Sequence, residues 1–146
     1  MTPKEYLNQY RESVRRYYAA RDHLDELHSI AEHITPVYCS SGGGGGTRDG
    51  DEKMINAVSK IIDAKNRVSD ELEMLEATER EVTRTIDAVK DRTLRTLLYE
   101  RYINGKTWEQ IAVTMNYSYQ HIVHFLHPRS LEAVKHLIES NITPVL

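Results

Sequence analysis

Apolar residues recur at alternating spacings of three and four along the first part of the chain. The series comprises Tyr10, Ser13, Tyr17, Ala20, Leu24, Leu27, Ala31 and Ile34. This spacing is one seam of a heptad pattern, and it predicts a first helix from Lys4 to about Ile34. We expect Pro36 to end that helix, because proline lacks a backbone N–H and disfavours α geometry at the preceding residue.

A stronger heptad pattern occupies the middle of the chain and predicts a second helix from about Asp51 to Val89. In one row every seventh residue is apolar: Met54, Ile61, Val68, Leu75, Val82 and Val89. A complementary row is interrupted twice by charge: Val58, Lys65, Leu72, Glu79 and Ile86. Two helices that each carry an apolar heptad row and are joined by a loop predict a long antiparallel helical hairpin, a coiled coil, over residues 1–89. The second helix is the longer, so part of its seam must meet the C-terminal residues or another copy of the chain.

A run of glycines separates the two patterns. Residues 40–51, with Gly42 to Gly46 at their centre, predict a flexible tip of the hairpin, because glycines have no side chains to pack. A phosphate-binding loop would need a preceding strand and a following Lys-Ser/Thr pair, which the sequence lacks here. Breakers are rare elsewhere and strand patterning is hard to find, so the sequence predicts an all-α protein.

From Asp91 the pattern shortens into brief helices, which predicts a separate domain over residues 90–146. The first of these helices has an apolar face and a left-handed stop at Asn104-Gly105. That face comprises Leu94, Leu97, Leu98, Tyr102 and Ile103. Thr107 opens the next helix, and Gln110 three residues later completes a capping box.

The spacing after this capping box is that of a helix-turn-helix. Ala112 is the small residue needed where two helices cross, and Asn116 tolerates the positive φ of a tight turn. Ser118 caps a third helix that reaches about His127, and Ile122 locks it onto the helix Trp108 to Met115. The remaining buried positions are expected at Ile111, Met115 and Phe125, with Trp108 packed at the start of its helix.

In a helix-turn-helix the second helix enters the major groove of DNA and presents its outward residues to the bases. Gln120 has the amide that pairs with adenine, and Ser118 or Tyr119 can reach a phosphate. Lys106 and Arg129 are the expected phosphate clamps. The full candidate set is Lys106, Ser118, Tyr119, Gln120, Val123, His124, His127 and Arg129.

Charge is distributed unevenly along the chain. Residues 90–146 carry seven Lys/Arg against five Asp/Glu, whereas residues 41–89 carry seven against eleven. No Lys or Arg lies between Lys106 and Arg129, so we expect modest DNA affinity. Protonation of His121, His124 and His127 would strengthen binding below about pH 6.5.

The same three histidines raise the question of a metal site. A zinc site needs three or four converging ligands, and no Cys or acidic residue between Asn116 and Pro128 completes a set. No nucleophile–base pair is apparent either, so we expect no metal, no cofactor and no enzymatic activity.

The stretch from Leu98 to Ser118 resembles region 4 of σ70-type factors. More closely, it is similar to phage and prophage late transcription regulators of the RinA/ArpU type. The resemblance covers the C-terminal part well and extends less specifically to the hairpin. It implies a regulator that binds promoter DNA and touches RNA polymerase. By that match Trp108, Ile111, Ala112 and Ile122 are structural, and the reading positions are Tyr119, Gln120 and His124.

Two other functions fit the same pattern. One is a phage packaging protein resembling a small terminase subunit, in which the helix-turn-helix and coiled coil build a ring. The other is an interaction module that binds a protein such as RNA polymerase. The leading hypothesis is a DNA-binding transcriptional regulator whose partners are double-stranded DNA, RNA polymerase and a second copy of the chain in a dimer. The single cysteine, Cys39, and the lack of a spanning apolar segment predict a cytoplasmic, nucleoid-associated protein without a membrane partner.

Overall fold

Helices account for all the regular secondary structure in the computed structural model, which describes residues 1–40 and 48–142. The side chains of 35–40, 48, 49 and 142 lie outside this description. The prediction of an all-α protein is confirmed over the described residues. The glycine run at the predicted tip lies outside them.

Two long helices form the first part of the chain. Helix α1 spans Pro3–Ser40 and helix α2 spans Arg48–Asp87. The prediction that Pro36 ends α1 was wrong, since the helix continues through Pro36 to Ser40. The missing N–H of a proline removes one hydrogen bond of the helix and leaves the others in place. Helix α2 begins three residues before the predicted start at Asp51.

The chain forms two compact units, and each is described by itself. One combines Met1–Ser13 with Leu75–Leu146, and the other is Val14–Met74. The boundaries between them fall inside α1 and α2. The expected division into 1–89 and 90–146 stays a prediction.

The seam predicted along α1 is confirmed. All eight of its positions, from Tyr10 to Ile34, are buried or half-buried. The first row of α2 is confirmed in the same way, from half-buried Met54 to the buried Val82 and Val89.

The second row of α2 was predicted wrongly. Val58 and Leu72 are 48% and 37% exposed, and Lys65 and Glu79 are exposed as well; Ile86 alone of that row is buried. The covered positions lie one residue earlier: Ala57, Ala64, Glu71, Thr78 and Thr85. Small side chains in this row let a neighbouring backbone approach closely, which outweighs the greater apolarity of the predicted row.

The unit Val14–Met74 has a thin interior. Among its described residues the buried positions are two alanines, Ala20 and Ala64, each 6% exposed. The remaining seam residues are half-buried. Burial of apolar area per residue is therefore small in this unit.

In the other unit the beginning of α1 runs antiparallel to the end of α2. The hydroxyls of Tyr6 and Thr85 are hydrogen-bonded at 2.8 Å, and Ser13 Oγ donates to Thr78 Oγ1 at 3.4 Å. The end of α2 packs into a core with residues from the C-terminal helices: Leu7, Val82, Ile86, Val89, Leu98, Tyr102 and Val134. The sequence left open whether the seam of α2 meets the C-terminal residues or another copy of the chain. The end of this seam packs against the C-terminal residues.

In the described part of the chain, four further helices and two π-helical segments follow α2. They are α3 (Arg92–Leu98), the π segment Tyr99–Ile103, α4 (Trp108–Met115), α5 (Tyr119–His121), the π segment Ile122–Leu126 and α6 (His127–Ile142). The apolar face predicted between Leu94 and Ile103 is confirmed as buried or half-buried.

The prediction that the last motif helix ends near His127 was wrong. Helical structure continues through Pro128 to Ile142. The His127 N–H donates to the Ile122 carbonyl, five residues back, and this wider turn precedes the proline. Such π turns accommodate local irregularity within a continuous helix.

None of the described helices combines the length and apolarity required to cross a membrane.

Candidate functional site

Helix α4 begins at a capping box, as its sequence predicts. The Thr107 side-chain oxygen accepts a hydrogen bond from the Gln110 N–H at 3.2 Å, and the Gln110 side-chain oxygen accepts one from the Thr107 N–H at 3.0 Å. Two backbone donors at the helix start are thereby satisfied. This fixes the residue at which α4 starts and the face that it buries.

A left-handed residue ends α4. Asn116 has φ 59° and ψ 43°, and the Tyr117 N–H donates to the Ala112 carbonyl at 3.1 Å. Asparagine is among the few residues that adopt this conformation readily. Ser118 then caps α5, its Oγ accepting from the His121 N–H at 3.1 Å. The predicted turn and cap are both confirmed.

A second apolar core joins α4 to the helix that follows the turn. It consists of Leu97, Ile111, Ala112, Ile122 and Leu126, with Leu94, Trp108 and Met115 packed at its edge. Ala112 is 7% exposed and Ile122 is fully buried. The predicted pairing of these two residues in one core is confirmed.

Phe125 was predicted to be buried, and this prediction was wrong. The Phe125 side chain is 62% exposed, and Leu126 occupies the core position. The cause is the π segment Ile122–Leu126, whose wider turn shifts each following side chain around the axis. In so wide a turn the residue three positions after Ile122, which is Phe125, moves off the buried face, while Leu126, four positions after Ile122, stays on it.

The outward face of this helix holds several of the predicted contact residues together. Ser118, Tyr119, Gln120 and His124 are exposed, and Val123 is half-buried. Gln120 and His124, four residues apart, point away from the core formed by Ile122 and Leu126. Four of these five candidates are therefore open to solvent, and Gln120 and His124 share one face of the helix.

An aromatic row, which sequence reasoning missed, lies beside this face. The Tyr117 and His121 ring centres are 5.3 Å apart, and the His121 and Phe125 ring centres are 5.5 Å apart with an angle of 26° between the ring planes. Tyr117 is 41% exposed, and Val113 on α4 is 82% exposed. The four-residue spacing of Tyr117, His121 and Phe125 is that of one helix face, so the sequence could have indicated the row if Phe125 had not been assigned to the core.

His127 is half-buried, and two aromatic neighbours occupy its ring. Its Nε2 is hydrogen-bonded to Tyr102 Oη at 2.7 Å, and its ring meets the Trp108 ring edge-on at 4.5 Å. Burial, followed by the nearby charges of Lys4 and Arg101, lowers the pKa of His127 to about 4. Burial also raises the pKa of Tyr102 to about 12. His127 is therefore a neutral packing residue at physiological pH.

The predicted phosphate clamps differ in their surroundings. Lys106 forms an ion pair with Glu100, which offsets part of its charge, while Arg129 is exposed at the start of α6. Arg101 donates from Nη1 to the Lys106 carbonyl at 3.0 Å, and its guanidinium lies 4.4 Å from the centre of the Trp108 ring. Arg101 thus stabilises the backbone and the Trp108 ring at the start of α4.

The three histidines of this region do not converge. His121 stacks on Phe125, His124 faces outward, and His127 contacts Tyr102 and Trp108. Within the described residues no cluster of three or more His, Cys, Asp or Glu side chains could hold a metal ion.

No family model, curated protein or solved structure matches this chain.

Proposed function

We propose that the chain is a DNA-binding transcriptional regulator of the phage or prophage type, which binds promoter DNA through a helix-turn-helix made by α4, the Asn116 turn and the helix that begins with α5 and continues through the π segment Ile122–Leu126. The observation that carries this proposal is the combination of a left-handed Asn116 with Ala112 and Ile122 in one core. This is the arrangement by which one short helix holds a second at a fixed angle. We further propose that the helices of residues 1–89 form a hairpin, as their heptad spacing predicts.

The surface presented by this arrangement suits base contact. Gln120 and His124 are exposed and aligned, with Tyr119 and Ser118 at the start of the helix. Glutamine pairs with adenine through two hydrogen bonds, and hydroxyl groups can bind phosphates. His127 is left out of the proposed contact set because its ring is occupied by Tyr102 and Trp108.

The electrostatic contribution to binding is expected to be small. No Lys or Arg occurs between Lys106 and Arg129, and Lys106 is paired with Glu100. Phosphate contacts dominate the affinity of most DNA-binding proteins, so a single copy should bind weakly. A dimer that places two helix-turn-helix units on one site would compensate for this weakness.

The test is binding of purified full-length protein to genomic fragments, followed by titration of an enriched duplex. The variant Gln120→Ala with His124→Ala should weaken binding to the enriched duplex by about 1–3 kcal/mol per good base contact and affect an unrelated duplex less. Asn66→Ala with His28→Ala, at exposed positions of α2 and α1, is the matched control. Equal losses on both duplexes would contradict base reading by these residues.

A second candidate is an interaction module that binds a protein such as RNA polymerase. The observation that favours it is the exposure of the apolar side chains of Val113, Tyr117 and Phe125, in a stretch (residues 107–128) without Lys or Arg. Salt separates the candidates, because DNA affinity decreases as salt is raised through counterion release. Capture of RNA polymerase without salt-dependent binding to any duplex would support the second candidate.

A further inference from the structure

We infer that the duplex sites bound by this surface are rich in A·T pairs, with thymine methyl groups resting on its apolar side chains and adenine read by Gln120. This inference rests on the proposed function. The surface carries an amide and several apolar side chains, and it lacks the Lys and Arg side chains that read guanine.

Guanine is the base for which the surface is least equipped. In the major groove guanine presents two acceptors, which arginine or lysine reads with two hydrogen bonds. Residues 107–128 contain neither side chain. Arg101, the nearest preceding arginine, is occupied by Trp108 and the Lys106 carbonyl.

The hydrogen-bonding groups that are present favour adenine or do not discriminate between purines. Gln120 is exposed and carries an amide that matches the adjacent acceptor and donor of adenine. An imidazole N–H of His124 can donate to the purine N7, which adenine and guanine share. These two residues point the same way, four positions apart.

The exposed apolar groups are concentrated in one stretch of the sequence. The unit of Met1–Ser13 and Leu75–Leu146 has five exposed large apolar side chains among its described residues, and four of them lie between 113 and 125: Val113, Tyr117, Tyr119 and Phe125. Thymine is the standard base with a methyl group in the major groove, and apolar side chains recognise it. The concentration therefore fits a thymine-bearing edge.

The aromatic row is also held in position before any DNA binds. Stacking of His121 on Phe125 and contact of Tyr117 with His121 limit the rotation of these rings. The π segment turns Phe125 out of the core, and its ring is 62% exposed and stacked on His121. Binding of a base against the row would then cost little side-chain entropy.

The experiment uses full-length protein and random duplex DNA at low salt, with enriched duplexes sequenced after several rounds of selection. We expect enrichment of A·T pairs. An enriched duplex is then remade with deoxyuridine in place of thymidine, which removes the methyl group and keeps the hydrogen-bonding groups. Binding should weaken by about fourfold for each thymine methyl group that rests on the protein in the unmodified duplex.

Two variants connect the effect to the aromatic row. Phe125→Ala should weaken binding to the thymine duplex and reduce the difference between thymine and uracil duplexes. Ile62→Ala, at a 54% exposed position of α2, should leave that difference unchanged. Both side chains are largely exposed, so both variants should fold.

The outcomes separate this inference from the proposed function. Salt-dependent binding with G·C-rich selected sites, or with equal affinity for thymine and uracil duplexes, would overturn the inference alone. The Phe125→Ala variant could also fail to capture RNA polymerase while its affinity for DNA is unchanged. That result would show that the aromatic row contacts a protein, and it would overturn the inference too. Absence of salt-dependent binding to every duplex would overturn the proposed function together with the inference.

Discussion

His127 shows how one residue type takes different roles within a single helix. Three histidines follow at spacings of three, and each was expected near DNA. His121 and His124 are exposed, whereas His127 is hydrogen-bonded to Tyr102 and packed against Trp108. Because burial disfavours the charged imidazolium, His127 contributes to stability instead of to surface charge.

The free energy of unfolding should therefore depend on His127 below neutral pH. Its pKa is about 4 in the folded protein against an ordinary value of 6.5, so the unfolded chain binds the proton more tightly. The stabilisation is complete above pH 6.5, decreases as the pH falls, and is lost below about pH 4. At pH 5 the loss is about 1–2 kcal/mol.

Urea unfolding of the wild type and of His127→Gln at pH 7.5 and pH 5 measures this contribution. Glutamine keeps a hydrogen-bonding group for Tyr102 but does not titrate. The variant should lose less stability than the wild type between the two pH values. The same loss in both proteins would mean that His127 is not the responsible group.

At the scale of the element, two π segments shape the C-terminal helices. One follows α3 at Tyr99–Ile103 and the other follows α5 at Ile122–Leu126. The first segment contains Tyr102, and the second ends directly before His127. The His127 ring contacts both Tyr102 and Trp108. The second segment also exchanges the positions of Phe125 and Leu126 between surface and core.

The close contact of α4 with the helix after the turn depends on a small side chain at Ala112. Ala112→Leu should overpack the core around Ile122 and lower the free energy of unfolding by about 1–3 kcal/mol. Val113→Leu, a neighbouring position that is 82% exposed, is the matched control and should change stability by less than about 0.5 kcal/mol. Thermal melting of the two variants compares them, and equal shifts would contradict the proposed crossing at Ala112.

At the scale of the whole molecule, the two compact units differ in how much apolar surface they bury. The unit Val14–Met74 buries two alanines among its described residues. The other unit contains both apolar cores, with fully buried Leu7, Ile86, Leu97 and Leu98 among their members. Local opening is easier where few apolar side chains must separate.

Hydrogen exchange followed by mass spectrometry should reveal this difference. Peptides from residues 94–103 and 122–134 should exchange at least about tenfold more slowly than peptides from residues 20–34 and 52–70. A tenfold difference in exchange rate corresponds to about 1.4 kcal/mol in the free energy of local opening. Exchange at neutral pH avoids the effect of His127. Uniform protection along both long helices would contradict the expected difference.

The caps and the turn around α4 and the seam of α1 were predictable because their signals are local, whereas the helix ends predicted at Pro36 and near His127 were wrong. The capping box at Thr107, the left-handed Asn116 and the cap at Ser118 depend on residues within a single turn of one another. The seam of α1 was predictable because a heptad spacing places its residues on one face regardless of what covers that face.

Tertiary packing decided the features that no local signal carries. The covered second row of α2 is the one with alanine and threonine, because close approach of a neighbouring backbone outweighs the apolarity of Val58 and Leu72. The π turns depend on the fit of whole helices, so Phe125 could not be placed from spacing alone. The same applies to the candidate surface: the exposure of Gln120 and His124 was expected from their spacing, but the contacts of His127 and the exposure of Phe125 follow from which side of the helix meets the core.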